Sequence, residues 1–312
     1  MPIKEDIMIT VVVPVYNSGK YIFDAIKSIQ NQTYSNYKCI IVDDGSTDNT
    51  HQIICNVAKK DSRFQIIRQE NRGECAARNT GIAHVTTEYI TVLDSDDIWH
   101  PEFLQDMMDR LHKPGVKLAW CHFAMFYDGS TVRKPQPWDN VHKTGNIWWD
   151  MLCNSEFCMG AWAARTDVVR KAGPFDISLR VAGDRDFALR LLALICQQQP
   201  EAVQEIPREL LFYRQRAGSS VRNAQAALDT EWDTMRKHIE HPGIPSRIRK
   251  RAWSFLAFKM AVIASFGAHK YAVAIRWYIR AFFIDPLNMN LYWLPLRKIF
   301  LKLKCKESVN LP

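Results

Sequence analysis

Cys39-Ile40-Ile41-Val42-Asp43-Asp44-Gly45-Ser46-Thr47-Asp48 changes character in a single step. Its first half is an unbroken apolar, β-branched run, the mark of a strand buried on both faces of a sheet. Its second half is acids, a glycine and two hydroxyls, which is turn and helix-cap chemistry. A buried strand that ends abruptly in carboxylates points to a parallel sheet, because such sheets place their polar chemistry beyond the carboxyl ends of the strands.

Working outward, the same alternation repeats. Ile7–Val15 reads as a buried strand, and Lys20–Gln32 carries Ile22, Phe23, Ile26 and Ile29 at helical spacing. The quoted strand covers Tyr37–Val42. Thr47 to Lys60 then sets Ile53, Ile54 and Val57 on one helix face. Arg63–Ile67 is a third strand, Cys75–His84 a helix and Glu88–Leu93 a fourth strand. Strand and helix in strict alternation predict a doubly wound, mostly parallel α/β sheet. Beyond it the spacing predicts a helix over Pro101–His112 and strands over Val116–Phe126 and Phe157–Ala164. The stretch from Pro135 to Trp149 reads as loop and short helix. A helix follows over Asp184–Cys196, then an edge strand over Ile206–Tyr213, because Pro207 suits an edge. From about Val221 the pattern is helical, with an antiparallel pair at Trp253–Phe266 and Lys270–Phe283 divided at Gly267 and stopped by Asp285-Pro286.

Three polar loops share one edge of this sheet: Pro14-Val15-Tyr16-Asn17, Asp43 to Asp48, and Asp94-Ser95-Asp96-Asp97. Asp94 and Asp96, two residues apart at a strand end, can converge on one hard cation such as Mg2+ or Mn2+. The alternative is a solvated turn before the next helix. Asp43, placed on the end of a buried strand, can accept a base's imide or amide proton. Ser46 to Asn49 read as a turn and cap alone. Gly73 lets the backbone approach a ligand. Arg78, on a helix of small residues, can reach a diphosphate as a fork donor, or pair with a nearby acid. Asp184 and Asp186 open an apolar helix. They serve the helix dipole, or one of them is a general base at a helix start. No GxGxxG, GxxxxGK[ST], HExxH or GxSxG occurs, which argues against a Rossmann dehydrogenase, a P-loop ATPase, a zincin and an α/β-hydrolase.

Taken in order, Val11-Val12-Val13-Pro14-Val15-Tyr16-Asn17, Val42-Asp43-Asp44-Gly45-Ser46-Thr47-Asp48, Asn71-Arg72-Gly73 with Ala77-Arg78-Asn79-Thr80-Gly81-Ile82, and Leu93-Asp94-Ser95-Asp96-Asp97 resemble the family 2 glycosyltransferases. The resemblance spans roughly residues 7–220. It implies the GT-A fold, a Rossmann-like sheet, with inversion at the anomeric carbon, a nucleotide-sugar donor and a divalent cation, Mn2+ or Mg2+. By matching position, Pro14, Tyr16, Asn17, Asp43 and Asp44 would hold the nucleotide. Gly73 and Arg78 would lie by the diphosphate, Asp94 by the ribose, donor sugar or metal, and Asp96 on the metal. Ala182-Gly183-Asp184-Arg185-Asp186-Phe187 resembles the helix that supplies the base, with Asp184 first and Asp186 second. Leu211-Phe212-Tyr213-Arg214 to Gly218-Ser219-Ser220 resembles a flexible segment. Gly183 stands where the family often has Glu, and Arg216 where many members have His. A QxxRW motif is absent, which argues against a processive synthase. The acceptor expected is a hydroxyl of a glycan or lipid-linked molecule, as in cell-surface polysaccharide synthesis, and a UDP-linked donor is favoured because Asp43 suits a pyrimidine N3 proton. The competing reading is a catalytically silent sugar-nucleotide-binding protein.

Charge divides the chain. The formal net charge is +8 over 312 residues, yet residues 236–306 hold 15 Lys/Arg against Glu240 and Asp285, so the body is mildly acidic. An acidic body without a recognition motif argues against a nucleic-acid binder. The expected domains are 1–220 for catalysis (nucleotide-binding half 1–100, acceptor half 101–220) and a basic helical extension at 221–312. In that extension Trp253, Phe255, Trp277, Tyr278, Phe282 and Trp293 accompany the basic residues. They either meet an anionic bilayer or pack the extension onto the body. The eight cysteines lack CxxC and zinc-finger spacing and read as buried thiols. With no signal-peptide pattern and no run of about 18 apolar residues, the expectation is a cytoplasmic protein, peripheral on the membrane's cytoplasmic face.

Overall fold

The computed structural model describes residues 8–128, 133–135, 144–154, 158–179, 181–215, 224–267 and 270–286. The chain divides into two compact units, Met1–Trp148 with Glu156–Ser219, and Trp149–Ser155 with Ser220–Pro312.

The first unit is built on one sheet. Strands β1 (Ile9–Val15), β2 (Tyr37–Asp43), β3 (Phe64–Arg68) and β4 (Tyr89–Val92) run parallel in the order β3-β2-β1-β4. Val11, Val12, Val13, Ile41, Val42, Ile90 and Val92 are wholly buried, as unbroken apolar runs require. Pro14 sits in the central strand without cost. Its missing N–H would face β4, whose pairing with β1 ends at Val12, while Val15 still accepts from Asp44 on the β2 side. Helices α1 (Ile22–Gln30), α2 (Thr50–Ala58) and α3 (Glu74–Ala83) return the chain between these strands. In α1, Ile22, Ala25, Ile26 and Ile29 are buried, whereas Phe23, expected on the same face, is exposed. A Cβ on Gly81 would lie 2.3 Å from Val12 Cγ1, so only glycine lets α3 seat this closely on β1.

Past β4 the sheet turns mixed. Strand β5 (Ile98–Trp99), helix α4 (Phe103–Leu111), β6 (Leu118–Tyr127), β7 (Arg133–Pro135), α5 (Ile147–Asn154), β8 (Trp162–Arg165), α6 (Thr166–Lys171), α7 (Gly183–Cys196) and β9 (Val203–Gln215) follow. β8 lies antiparallel to both β4 and β6, and β6 is parallel to β9. Three expectations change here. The strand expected over Phe157–Ala164 is only Trp162–Arg165, preceded by a tight turn at Met159–Ala161. β9 is not an edge throughout, because Leu211 and Phe212 pair with β5 on one side and with β6 on the other. Pro207 is tolerated because the β6–β9 register shifts between Cys121 and Phe123, opposite Ile206 to Leu211. The segment expected to be flexible is therefore sheet as far as Gln215; Arg216 and Gly218-Ser219-Ser220 lie outside the described residues.

The second unit contains α8 (Ala224–Ile239), α9 (Ser246–Val262) with a π-helical turn at Ile263–Gly267, and α10 (Tyr271–Ile284). Ser254 Oγ donates to the Ala281 carbonyl and Phe258 meets Tyr278, so α9 and α10 run antiparallel. Trp232 lies 4.8 Å from Trp253 and 4.6 Å from Trp277, centroid to centroid. Three of the extension's aromatics, Trp253, Trp277 and Tyr278, thus pack within the unit; Trp293 lies outside the described residues. Among the described residues no helix is long and apolar enough to cross a membrane.

Candidate active site

The C-terminal ends of β1, β2 and β4 bring the expected residues to one edge. Pro14 is buried and Tyr16 exposed just beyond it. Asn17 takes a left-handed backbone, φ 46°, which asparagine tolerates through local hydrogen bonding. Its Oδ1 accepts from the Thr47 N–H at 2.8 Å, and its own N–H donates to Ser46 Oγ at 3.1 Å. Asn17 therefore ties the β1 loop to the β2 loop.

The two adjacent acids after β2 face different jobs. Asp43 is fully buried; Oδ1 accepts from the Ser46 N–H at 2.9 Å, and Oδ2 meets His51 Nδ1 at 2.8 Å with Arg68 Nε at 3.6 Å. Asp44 takes the N–H groups of Arg72 and Gly73 at 3.0 and 2.8 Å and the Gln69 amide at 2.7 Å. It thereby sets the loop that enters α3. Gly73 has φ +90°, and nothing lies within 4 Å of where a Cβ would stand. The backbone there is open to an approaching ligand and the left-handed turn favours glycine.

Asp94 and Asp96 leave β4 on the loop before β5. Arg78, almost wholly buried, donates from Nη2 to Asp94 Oδ1 at 2.8 Å and also bonds Glu74 Oε1. Of the two jobs the sequence allows Arg78, the structure shows the ion pair. Phe175 lies under its guanidinium, 5.4 Å away. Ser95 Oγ meets Ser18 Oγ at 2.7 Å, which fixes the acidic loop to the β1 loop. Asp97 is fully buried, and desolvation, reinforced by Asp96 and Asp94, holds its carboxyl well above the usual range.

On α7 the two acids separate. Asp184 is exposed at the helix start, its Oδ1 accepting from the Arg185 N–H at 2.7 Å. Asp186 is buried and paired with Arg190 Nε at 2.9 Å, and Arg190 also donates to the carbonyls of Ala172 and Pro174. Asp186 is thus bound into the fold, while Asp184 is the acid open to a substrate. Gly183 is close-packed: a Cβ there would stand 2.7 Å from Cys75 Sγ.

The sequence reading missed Glu74. Its side chain opens to solvent on one side. Arg78 pulls its pKa down, but desolvation and the charges of Asp94, Asp184 and Asp96 outweigh that and push it up to about 7. Glu74 and Asp94 thus share the buried Arg78, and the charges of Asp184 and Asp96 are felt at the same place. The signal for Glu74 was a first-turn acid directly after Gly73. Arg214 and His51, also given no role, hold Asp97 and Asp43.

Such an excess of carboxylate suits a divalent cation. Mg2+ and Mn2+ are commonly held by one or two carboxylates and completed by substrate phosphates. Among the described residues no group of three or more side chains that could hold a metal ion is found, and one oxygen of Asp94 is already taken by Arg78.

Residues 10–172 match the model of glycosyl transferase family 2. "Glycosyltransferase GlyG" of Streptococcus pneumoniae is 42% identical over 167 residues, 53% of this chain and 50% of that protein. "Uncharacterized glycosyltransferase EpsJ" of Bacillus subtilis is 29% identical over 219 residues, 64% of each. The chain spans half or less of the length of GlyG and of the GlyA glycosyltransferase of the same organism, 50% and 16%. Among solved structures, S. aureus TarS 1–349 in complex with UDP-GlcNAc superposes with a TM-score of 0.64 at 18% identity, covering 91% of this chain and 84% of that one. The mannosyltransferase PcManGT from Pyrobaculum calidifontis, in complex with GDP-Man and Mn2+, gives 0.65 at 18%, covering 95% and 80%. With the family match over more than half of its length and the sheet order of a GT-A protein, the chain belongs to glycosyl transferase family 2.

Proposed function

We propose that the protein moves a sugar from a nucleotide-sugar donor, UDP-linked in the first instance, to a hydroxyl of a glycan or lipid-linked acceptor, with inversion, in cell-surface polysaccharide synthesis. The observation that carries this reading is the buried Arg78 bound to both Glu74 and Asp94 beside the open backbone of Gly73, with Asp96 and the exposed Asp184 close enough to act on Glu74 electrostatically. The donors named for TarS and PcManGT, UDP-GlcNAc and GDP-Man, support a nucleotide sugar as the class.

The chemistry follows from the residues. The acceptor hydroxyl attacks the anomeric carbon from the face opposite the diphosphate. The new C–O bond forms as the bond to the diphosphate breaks, and the diphosphate leaves with that electron pair. Asp184 takes the hydroxyl proton as general base. Asp94 and Asp96 would hold Mn2+ or Mg2+, which when bound supplies charge neutralisation at the leaving diphosphate. Arg78 keeps Asp94 oriented, and Asp43, now held by Ser46 and His51, is the acid that would take the nucleobase proton.

The seven cysteines among the described residues are all free. That supports a reducing compartment and a reaction on the cytoplasmic side. The experiment is a panel of UDP-, GDP- and dTDP-sugars with Mn2+, with Mg2+ and with chelator. Metal-dependent release of nucleoside diphosphate from one of them is the expected result. Tight donor binding without release from any would instead favour a sugar-nucleotide-binding protein. Gly183, which stands where the family resemblance implies a Glu, is the feature that favours this second reading.

A further inference from the structure

We propose that α10 is a docking face for an anionic membrane surface. The helix is apolar around almost its whole circumference, yet only one side of it is buried. Ala274 and Ala281, with the partly buried Trp277, Tyr278 and Ile284, face α8 and α9. Of the remaining apolar residues, Val273 is 36% exposed on another side of the helix, and five point outward together: Tyr271 is 62% exposed, Ile275 60%, Ile279 49%, Phe282 39% and Phe283 78%. At about 100° per residue these five fall within one arc of about 120°. A helix apolar on both faces belongs against something on its second face.

The charges say which surface. Arg276 and Arg280 border the exposed arc, and α10 contains no acid. Arg280 is held in place over the rings of Trp232 and Trp277, at 4.4 and 5.2 Å. Residues 236–306 as a whole carry 15 Lys/Arg against two acids. An apolar stripe edged by arginines, in a segment nearly free of carboxylates, is complementary to an interface of acyl chains beneath anionic headgroups. A second copy of this basic unit would bring like charges together, which argues against self-association through the same face. The packed Trp253, Trp277 and Tyr278 have no part in this surface; the outward face of α10 forms it.

The test is co-sedimentation of the full chain with phosphatidylcholine vesicles containing about a quarter phosphatidylglycerol, beside vesicles of phosphatidylcholine alone. The chain should sediment with the anionic vesicles, release at high salt and stay in solution with the neutral ones. Ile275→Ser with Phe283→Ser, both at exposed positions and so tolerated by the fold, should weaken binding at least about tenfold. Arg276→Glu should weaken it severalfold, with circular dichroism unchanged in both variants. Binding that ignores the apolar substitutions overturns the proposal, as does failure to bind anionic vesicles. An α10 substitution that dissolves an oligomer in light scattering, while vesicle binding is absent, assigns the face to a second copy and overturns it too.

Discussion

Arg214 is bound to Asp97 and to the loop before it: its backbone N–H donates to Asp97 Oδ1 at 2.8 Å, and its side-chain Nε–H donates to the Asp96 carbonyl at 2.7 Å. A residue of β9 thereby fixes the carbonyl of a proposed metal ligand on the loop after β4. The guanidinium is buried over Phe126 and Tyr21, at 4.6 and 5.1 Å, and also reaches Asp24 at 3.0 Å.

Arg214 is therefore a positioning residue. Arg214→Ala should lower Mn2+-dependent UDP affinity, read by calorimetry, about tenfold through a loosened Asp96. Arg214→Lys should recover part of it, since a lysine keeps the charge and loses the fork. Unchanged affinity in Arg214→Ala would remove this role.

Asp184 and Asp186 should part company in stability. Asp184→Asn, at an exposed position, should leave the melting midpoint within the equivalent of about 0.5 kcal/mol. Asp186→Asn strands the charge of Arg190 in a half-buried site and should cost about 3 kcal/mol. Equal melting midpoints for the two variants would contradict the different burial of the two acids.

Gly81→Ala reverses the usual helix rule. Alanine normally gains about 1 kcal/mol over glycine inside a helix. Here the new methyl meets Val12, so a net loss of about 1–3 kcal/mol is expected from overpacking. Chemical denaturation of the two proteins decides the sign.

Asp61 supplies an acid-stability test. The side-chain hydrogen bond from Arg63 comes first among the causes that lower its pKa from 3.8 to about 2, and Arg63 also lies over the Tyr37 ring. A depressed carboxyl stabilises the fold fully above its unfolded value and loses that contribution as pH falls through the folded value. Wild type should thus lose stability relative to Asp61→Asn between about pH 4 and pH 2. Parallel stability curves through that window would refute the pairing.

What could be read in the sequence follows physical lines. β1, β2 and β4 were legible because burial on both faces demands unbroken apolar runs, and Ile40-Ile41-Val42 has no other use; β3, a partly exposed edge strand, was legible from its place in the alternation of strand and helix. β5, two residues long, was not, because that length holds no period, and β8, four long, was expected over too wide a range. Asp43 and Asp44 look alike in sequence; only the approach of the 69–73 loop makes Asp44 a backbone anchor. Asp184 and Asp186 were nearer to being separable. Two residues apart on a helix is about 200° of turn, so one had to face inward. Glu74 bonds Arg78 four residues on, a pair that helical spacing allows, but Arg78 reaches Asp94 16 residues away and Arg214 reaches Asp97 117 away, and no local pattern encodes those.

The central claim is that Asp184 removes the acceptor's proton in transfer from a nucleotide sugar. Its most direct test compares release of nucleoside diphosphate by wild type and Asp184→Asn, with the donor identified from the panel and Mn2+ present, while donor affinity is measured on both. The account predicts unchanged donor affinity and release reduced at least about a thousandfold in the variant. Release that survives in Asp184→Asn, or donor affinity that falls along with it, would contradict the account.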